Sequence, residues 1–295
     1  MQYNTINPDS IKPPQTIHFD IDKQPSKPFG FNDFKTLPAP IEQKNFDLDA
    51  LPDSAFGLDE AVAQPFHLQQ FKLPKPTKVK AGVPKLLSNT TTGVLQLGIE
   101  EGLPGTNISA FVTDSYGYTW LATEKGLCMY DGEYIYIHSF INKNAVGSYY
   151  DISSMAIDKQ GNIWIASAGD GIYILNTTTN IVKHNEAARQ YSQIICDHIG
   201  MIWAGSYTEG LFVIDPVKET IKNINRTKNR SRENSVSAIA EDRDKNIWLS
   251  YFSPFGYTAI VDTARKSIKK IIKNEGLFDN GVIKFLEDSR GDMWM

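Results

Sequence analysis

The five tryptophans of this chain recur at nearly constant intervals, and each stands six residues after an aspartate. Successive tryptophans are 44, 39, 45 and 46 residues apart. The five pairs are Asp114 and Trp120, Asp158 and Trp164, Asp197 and Trp203, Asp242 and Trp248, and Asp288 and Trp294. A period of this length that uses every tryptophan indicates one supersecondary unit repeated along the chain.

Each aspartate begins a short turn. Glycine follows it by three residues in four copies, at Gly117, Gly161, Gly200 and Gly291. Aspartate accepts hydrogen bonds from the backbone of such a turn, and glycine adopts positive φ without steric cost. The fourth copy has Lys245 instead, and we expect the neighbouring Asn246 to shift that turn by one residue, since asparagine tolerates left-handed φ. All five aspartates are therefore predicted to cap turns and not to act in catalysis.

Each unit reads as four short strands. The first ends at the aspartate, the second carries the tryptophan, the third follows a second glycine such as Gly126, and the fourth is β-branched, as in residues 134–138. A four-stranded sheet cannot bury both faces alone, so the tryptophans are predicted to fill layers between stacked sheets. The helical periodicity that an α/β solenoid would need is lacking. The pattern predicts an all-β fold, a β-propeller of four-stranded blades over residues 94–295.

The ends of the repeat region suggest a larger ring. The fifth copy stops in its second strand, whereas propellers commonly close with about seven blades. Residues 94–97 lie where an outer fourth strand would fall, yet no earlier blade precedes them. We therefore expect these residues to close the ring by completing its last blade, and the chain to be part of a longer protein.

Residues 1–93 differ in composition from the repeats. Twelve of the fifteen prolines lie before residue 90. Proline fixes φ and biases the preceding residue towards extended geometry, so this region is predicted to be an extended linker. Its hydrophobic spots at 29–31 and 66–68 could dock onto a partner or onto the propeller flank.

Composition excludes several classes of protein. A formal net charge of −4 argues against nucleic acid as a partner. No apolar run reaches the ~18 residues of a membrane helix, and the first residues do not form a secretion signal. Cys128 and Cys196 are expected to be small buried side chains, with a single disulfide as the alternative.

The first repeat resembles a known family. Residues 114–132 read Asp-Ser-Tyr-Gly-Tyr-Thr-Trp-Leu-Ala-Thr-Glu-Lys-Gly-Leu-Cys-Met-Tyr-Asp-Gly, preceded by Gly-Leu-Pro at 102–104 and Asn-Ile at 107–108. This is similar to the two-component regulator propeller repeat of Bacteroidetes-type sensor proteins, and the lead-in at 76–85 is similar too. The resemblance implies a ligand-sensing propeller on the periplasmic side, linked by a membrane helix to a histidine kinase or another output domain. The lack of a signal peptide leaves a cytoplasmic location as the alternative.

Residue types that would support metal binding or catalysis do not recur. His138, His184 and His198 fall at different places in their repeats, so they are expected to be exposed and to bind no metal. One carboxylate per turn is too few for calcium, which takes six to eight oxygen ligands. Asp197 and His198 lack a serine at a recurring position, so no catalytic triad is indicated. No cofactor is predicted.

A small ligand is expected at one rim of the propeller. There the loops between strands two and three meet the loops that lead into strand one, and both vary while the strands stay regular. Aromatic side chains beside charged ones suit a carbohydrate or a charged small molecule. The candidate residues are Glu124, Lys125, Tyr149, Tyr150, Asp170, Tyr207, Glu209, Arg230, Arg232, Tyr251 and Phe252.

Three functions remain open on the sequence. The first is a sensory module that binds a small molecule or carbohydrate at this rim. The second is a protein-interaction scaffold that uses the faces of the ring and the proline-rich region. The third, a propeller hydrolase or lyase, lacks a recurring nucleophile, paired carboxylates or a metal cluster. The chain is accordingly predicted to be no enzyme.

Overall fold

The computed structural model describes residues 49–86, 95–139, 152–187, 189–224, 235–252, 256–271 and 282–295, which all fall in one unit of the chain. Regular structure in these ranges is entirely β. Six short strands come first: β1 Ser54–Ala55, β2 Gln64–Pro65, β3 Gln69–Lys72, β4 Thr77–Lys80, β5 Lys85–Leu86 and β6 Leu95–Gln96.

Four blades follow, each a meander of four antiparallel strands. Blade 1 contains β7 Ile108–Thr113, β8 Thr119–Thr123, β9 Gly126–Tyr130 and β10 Tyr134–His138. Blade 2 contains β11 Ile152–Ile157, β12 Ile163–Ser167, β13 Gly171–Asn176 and β14 Ile181–Asn185. Blade 3 contains β15 Tyr191–Cys196, β16 Ile202–Ser206, β17 Gly210–Asp215 and β18 Thr220–Ile224. Blade 4 contains β19 Val236–Glu241, β20 Ile247–Tyr251, β21 Tyr257–Val261 and β22 Ser267–Ile271. The fifth copy begins with β23 Leu286–Glu287 paired with β24 Met293–Trp294.

The turn after the first strand has the predicted aspartate cap. One carboxylate oxygen of Asp114 accepts hydrogen bonds from the backbone N–H groups of Tyr116 and Tyr118, both at 3.0 Å. Its other oxygen accepts the indole N–H of Trp120 at 2.9 Å. The same aspartate–indole bond, 2.8–3.2 Å long, forms in all five copies. The offset of six residues, repeated in all five copies, therefore joins the two side chains directly, and spacing alone does not reveal this bond.

The fourth copy keeps the same turn register despite its lysine. Lys245 has φ of +71° and its N–H bonds the Asp242 carbonyl at 2.9 Å, as Gly117 does with Asp114 at 3.0 Å. The N–H of Asn246 bonds the Asp242 carboxylate at 2.8 Å, the place taken by Tyr118 in blade 1. The expected shift by one residue is wrong, because the aspartate bonds hold the backbone in place around an unfavourable lysine.

The tryptophans fill the layers between blades, as predicted. β7 packs beside β11, β11 beside β15, and β15 beside β19. Trp120 packs with Ile152 and Met155 of blade 2, and Trp164 packs with Tyr191 of blade 3. Trp203 in turn packs with residues of blade 4. These three indoles thus stabilise contacts between neighbouring sheets, whereas Trp294 of the fifth copy is 59% exposed.

A serine in the first strand of each blade marks a β-bulge. The register shifts at Ser109, Ser153, Ser192 and Ser237. Three of these hydroxyls donate to a carbonyl of the next blade: Ser109 to Ile152, Ser192 to Val236, and Ser237 to Val282. A bulge re-aims the side chain of its extra residue. Here it turns a serine across the interblade layer.

Residues 51–80 of the proline-rich region include four short strands that belong to the sheets. β4, β3, β2 and β1 add a fifth, outermost strand to blades 1, 2, 3 and 4 respectively. We call residues 51–80 the N-terminal arm. Pro65 pairs at the edge of blade 3, where its missing N–H faces no further strand. The expected linker is wrong for the arm, whereas the division of the chain at residues 93 and 94 stays a prediction.

Hydrophobic side chains of the arm pack in the layers around the tryptophans. Phe56 stacks on Trp203 with ring centroids 5.9 Å apart, and Phe66 stacks on Trp164 at 6.2 Å. Leu51 packs with Trp248, and Leu73 packs in the layer of Trp120. The arm therefore fastens neighbouring blades together in the reverse order of the chain.

The proposed ring-closing strand has another partner. Leu95 and Gln96 of β6 pair with Leu86 and Lys85 of β5 in a separate two-stranded sheet. Residue 94, the first of the predicted closing strand, lies outside the described residues. β5 is the strand that precedes β6 in the chain, and eight residues separate the two. β6 therefore pairs with this neighbour and not with a strand of a last blade.

Candidate functional site

The predicted rim is one end of the blades. Ile108, at the start of β7, pairs with Thr123 at the end of β8, so the loop into strand one and the loop between strands two and three share that end. The aspartate turns lie at the opposite end, which we call the Asp-turn face. Of the rim candidates, Tyr149, Tyr150, Arg230 and Arg232 lie outside the described residues.

In blade 1 the rim carboxylate has a structural role. Glu124 accepts the backbone N–H groups of Thr106 and Asn107, one on each oxygen and both at 3.0 Å. These bonds, the one from Thr106 first, lower the pKa of Glu124. The carboxylate therefore fixes the segment that leads into β7, while the neighbouring Lys125 is exposed.

In blade 2 the rim carboxylate belongs to an aromatic pair. The hydroxyl of Tyr173 donates to the Asp170 carboxylate. The ring of Tyr173 stacks on His184 at 3.8 Å with a 4° interplanar angle, and His184 Nε2 lies 2.6 Å from the Asp170 carbonyl. His184 is thus half-buried against a ring, not an exposed side chain as expected.

Blade 3 presents an ion pair at the rim. Arg189 Nε donates to the Glu209 carboxylate at 3.2 Å, and Arg189 Nη1 donates to the Tyr191 hydroxyl at 3.4 Å. The guanidinium lies 4.6 Å from the ring centre of Phe212. Sequence reasoning missed Arg189, because it stands in a loop with no repeated signal. Its pairing with Glu209 joins the loop before β15 to the loop after β16.

The remaining rim candidates are aromatic. Tyr207 and Phe252 are exposed, while Tyr251 is buried and stacks on Tyr257 at 4.7 Å. Tyr251 is therefore part of the packing between β20 and β21. The described candidates that are exposed are Glu124, Lys125, Tyr207 and Phe252, and of these Glu124 is engaged by the backbone of residues 106 and 107.

Two clefts between blades open on the Asp-turn face. One, of about 460 Å³, lies between blades 1 and 2, and another, of about 410 Å³, lies between blades 2 and 3. Each contains the aspartate–tryptophan pair of the earlier blade and a turn residue of the later one, Asn180 and Glu219 respectively. Neither contains a residue predicted for the site.

Arginine fills the corresponding place between blades 3 and 4. Arg265 has left-handed φ, like Asn180 and Glu219 in the equivalent turns. Its guanidinium lies 5.3 Å from the ring centre of Trp203 and donates to Asp197 at 3.2 Å. A second contact runs to Glu241 at 3.4 Å. This arginine occupies, over the Asp197–Trp203 pair, the place that is open space in the other two clefts.

The other histidines also have defined places. His138 is buried, not exposed as expected, and stacks on Trp120 with centroids 5.4 Å apart. Burial lowers its pKa to about 4. His198 Nδ1 lies 2.5 Å from Glu241. The described ranges contain no group of three or more His, Cys, Asp or Glu side chains that could hold a metal ion.

No helix among the described residues is long and apolar enough to cross a membrane. Both cysteines are free thiols, and burial raises the pKa of Cys128 to about 11.

Fold and repeat together define a β-propeller with aspartate–tryptophan-clamped blades. Three stretches of the chain, residues 102–125, 147–169 and 231–252, match the two-component regulator propeller family. These matches fall on the first, second and fourth copies, and the last of them includes Lys245. No curated protein sequence matches the chain.

Solved structures share the fold at low identity. The extracellular domain of a hybrid two-component system from Bacteroides thetaiotaomicron aligns with 21% identity and a TM-score of 0.54, covering 68% of this chain and 28% of that one. A second such domain from that organism aligns with 18% identity and a TM-score of 0.41, covering 65% and 30%. A catalytically inactive virginiamycin B lyase variant from Staphylococcus aureus, in complex with quinupristin, aligns with 13% identity and a TM-score of 0.55, covering 77% and 80%. This chain therefore spans less than a third of the sensor domains that it resembles.

Proposed function

We propose that this chain is a ligand-binding propeller of a bacterial signal-transduction sensor and that it works outside the cytoplasm. The observation that carries the proposal is the family of the repeats, which is named for two-component regulators. The similar domains from Bacteroides thetaiotaomicron are extracellular parts of hybrid two-component systems. A histidine kinase or another output domain would belong to the same protein.

The proposed binding surface is the rim. Its loops differ from blade to blade, while the aspartate–indole hydrogen bond at the opposite end of each blade is the same. Binding residues commonly occupy such variable loops on a regular scaffold. Lys125, Tyr207 and Phe252 reach solvent there, and the paired Arg189 and Glu209 hold two loops together. Exposed rings and a lysine on the same rim suit a small polar ligand, either a carbohydrate or a carboxylate-bearing molecule.

The clamps leave little chemistry to the repeat itself. Each conserved carboxylate is engaged by its own turn and by an indole N–H. We therefore propose binding without catalysis, although the lyase from Staphylococcus aureus shows that a similar fold can carry a reaction.

Isothermal titration of the chain against sugars and small carboxylic acids tests the rim. We expect a ligand whose affinity falls about tenfold in a variant with Tyr207→Ala and Phe252→Ala, because aromatic side chains often dominate binding energy. Val217→Ala is the control, since Val217 is apolar and 81% exposed but lies on the Asp-turn face.

Two results would count against the proposal. Binding that the rim variant leaves unchanged would place the ligand elsewhere. Conversion of a titrated compound to product would favour the lyase or hydrolase, whereas capture of a protein by the rim would favour a scaffold.

A further inference from the structure

The cleft between blades 1 and 2 has an aromatic wall that the fold does not need. Tyr116 and Tyr118 are 61% and 39% exposed, and their rings stack with centroids 6.2 Å apart at a 29° angle. In the turn, only their backbone N–H groups bond Asp114. The equivalent positions of the other copies hold Gln160 and Asn162, Ile199 and Met201, Asp244 and Asn246, and Arg290 and Asp292. A pair of exposed tyrosines in one copy alone therefore has no structural requirement behind it.

The opposite wall of the cleft is polar and uncharged. Thr177, Thr178 and Asn180 of the turn in blade 2 line it. The hydroxyl of Tyr116 lies 3.5 Å from Thr178 Oγ1, so the two walls approach one another at the mouth. Hydroxyl and amide groups both donate and accept hydrogen bonds, and sugar hydroxyls do the same.

The base of the cleft offers no free charge. Asp114 is buried, and its carboxylate already accepts two backbone N–H groups and the indole N–H of Trp120. His138 stacks on the same indole, and its lowered pKa of about 4 leaves it neutral near pH 7. The arm closes the outer side with Leu73 and Pro76. A charged ligand would therefore lose hydration here without gaining a counter-ion.

We propose that this cleft is a binding site for a neutral saccharide, whose ring stacks on Tyr116 and Tyr118 while Thr178 and Asn180 bond its hydroxyl groups. A volume of about 460 Å³ lies within the ordinary range for small-ligand pockets. The site is on the Asp-turn face, remote in each blade from the rim loops.

The two other clefts show why only the first is assigned. Between blades 3 and 4, Arg265 occupies the place and bonds Asp197. Between blades 2 and 3, Lys183 pairs with Glu219, and Asn162 accepts the side-chain N–H of Asn176 at 2.7 Å. There the polar groups satisfy one another, and the tyrosine platform is replaced by Gln160 and Asn162.

Isothermal titration with neutral hexasaccharides tests the site on the full chain. The probes are maltohexaose, cellohexaose, xylohexaose and arabinohexaose at millimolar concentration, with hexagalacturonate as the charged comparison. We expect at least one neutral sugar to bind. The double variant Tyr116→Ala with Tyr118→Ala should lower that affinity about tenfold or more, because it removes both stacking faces.

Two further variants separate binding from folding. Tyr116→Phe with Tyr118→Phe keeps the rings and should keep the affinity within about threefold. Ile199→Ala alters the equivalent exposed turn position of blade 3 and should leave binding unchanged. Unchanged unfolding midpoints would show that each variant is folded.

The proposal would be overturned if no neutral sugar bound, if hexagalacturonate alone bound, or if the double alanine variant bound as well as the original chain. A loss of binding in Tyr207→Ala, with binding kept in the double variant of Tyr116 and Tyr118, would instead assign the sugar to the rim. These outcomes distinguish a failure of this site from a failure of the proposed rim function.

Discussion

At the scale of single residues, the aspartate–indole hydrogen bond is constant while its surroundings change. Asp158 lies beneath a 1% exposed Trp164, whereas Asp288 bonds a Trp294 that is 59% exposed. When a buried hydrogen bond is lost, its donor cannot bond water instead, whereas an exposed donor can. The same aspartate–indole bond should therefore contribute more to the free energy of unfolding in the buried copies than in the exposed one.

Asp158→Asn is expected to lower the free energy of unfolding by about 2–3 kcal/mol. The asparagine oxygen can still accept backbone N–H groups, but its amide N–H then faces the Trp164 indole N–H, and two donors cannot bond. Urea denaturation followed by tryptophan fluorescence measures the change. Asp288→Asn is the matched control, expected to cost less than about 1 kcal/mol because water can reach its indole. Equal losses in both variants would contradict the role of burial.

A second residue-scale prediction concerns His138 and pH. Burial lowers the pKa of His138 to about 4, below the value of about 6.5 for an exposed histidine. Between these values the unfolded chain binds a proton that the folded chain does not, so the free energy of unfolding falls as pH falls through this window. The total effect is up to about 3 kcal/mol.

His138→Phe keeps a ring on Trp120 but cannot titrate. We therefore expect unfolding free energies measured by urea at about pH 7, 6 and 5 to depend less steeply on pH in this variant. The pKa values of Asp131 and Glu124 are lowered in the folded chain. Their contributions to the free energy of unfolding are therefore lost only below this window, as pH falls through those lowered pKa values. The same slope in both proteins would show that other groups control stability in this window.

At the scale of elements, the N-terminal arm is held by few contacts. β2 pairs with β18 over two residues, and Phe66 is 3% exposed in the layer between blades 2 and 3. Phe66→Ala should therefore release this stretch of the arm before the blades unfold, since phenylalanine truncation in a core costs about 3–5 kcal/mol.

Limited trypsin digestion measures this release. Cleavage after Lys72, which is followed by leucine, should become faster in Phe66→Ala, while cleavage within the blades stays slow. Val62→Ala, at a 75% exposed position of the same arm, should behave like the original chain. Protection of the arm in both variants would mean that strand pairing, not Phe66, fastens it.

The blades and the arm also differ in how far sequence could reveal them. The offsets of Asp158 and Trp164 fix where a turn ends and a strand begins, so blade register followed directly from spacing. The arm strands are two to four residues long and include Pro65, and they pair with strands more than 50 residues away in sequence. No local sequence pattern therefore predicts them. The rim loops were located by register, but Arg189 was not, because its partner Glu209 is fixed only by the folding of two loops onto one another.

At the scale of the whole molecule, stability resides between blades. The layer around Trp203 combines Leu211 and Val213 of blade 3 with Val236 and Leu249 of blade 4. Propeller blades stacked in this way resemble other repeat arrays, whose stability is largely a sum of nearest-neighbour contacts. A change in one layer should therefore be felt by two blades.

Trp203→Phe tests this coupling by native-state hydrogen exchange. The smaller ring loses both packing and the bond to Asp197, so amide exchange should become faster in β16 of blade 3 and also in β19 and β20 of blade 4. Trp294→Phe, at an exposed tryptophan, should affect only β23 and β24. Acceleration confined to blade 3 would mean that each sheet is stable by itself. The spread into blade 4 is expected because Trp203 of blade 3 and Leu249 of blade 4 belong to the same hydrophobic core. Neither blade can bury that core without the other.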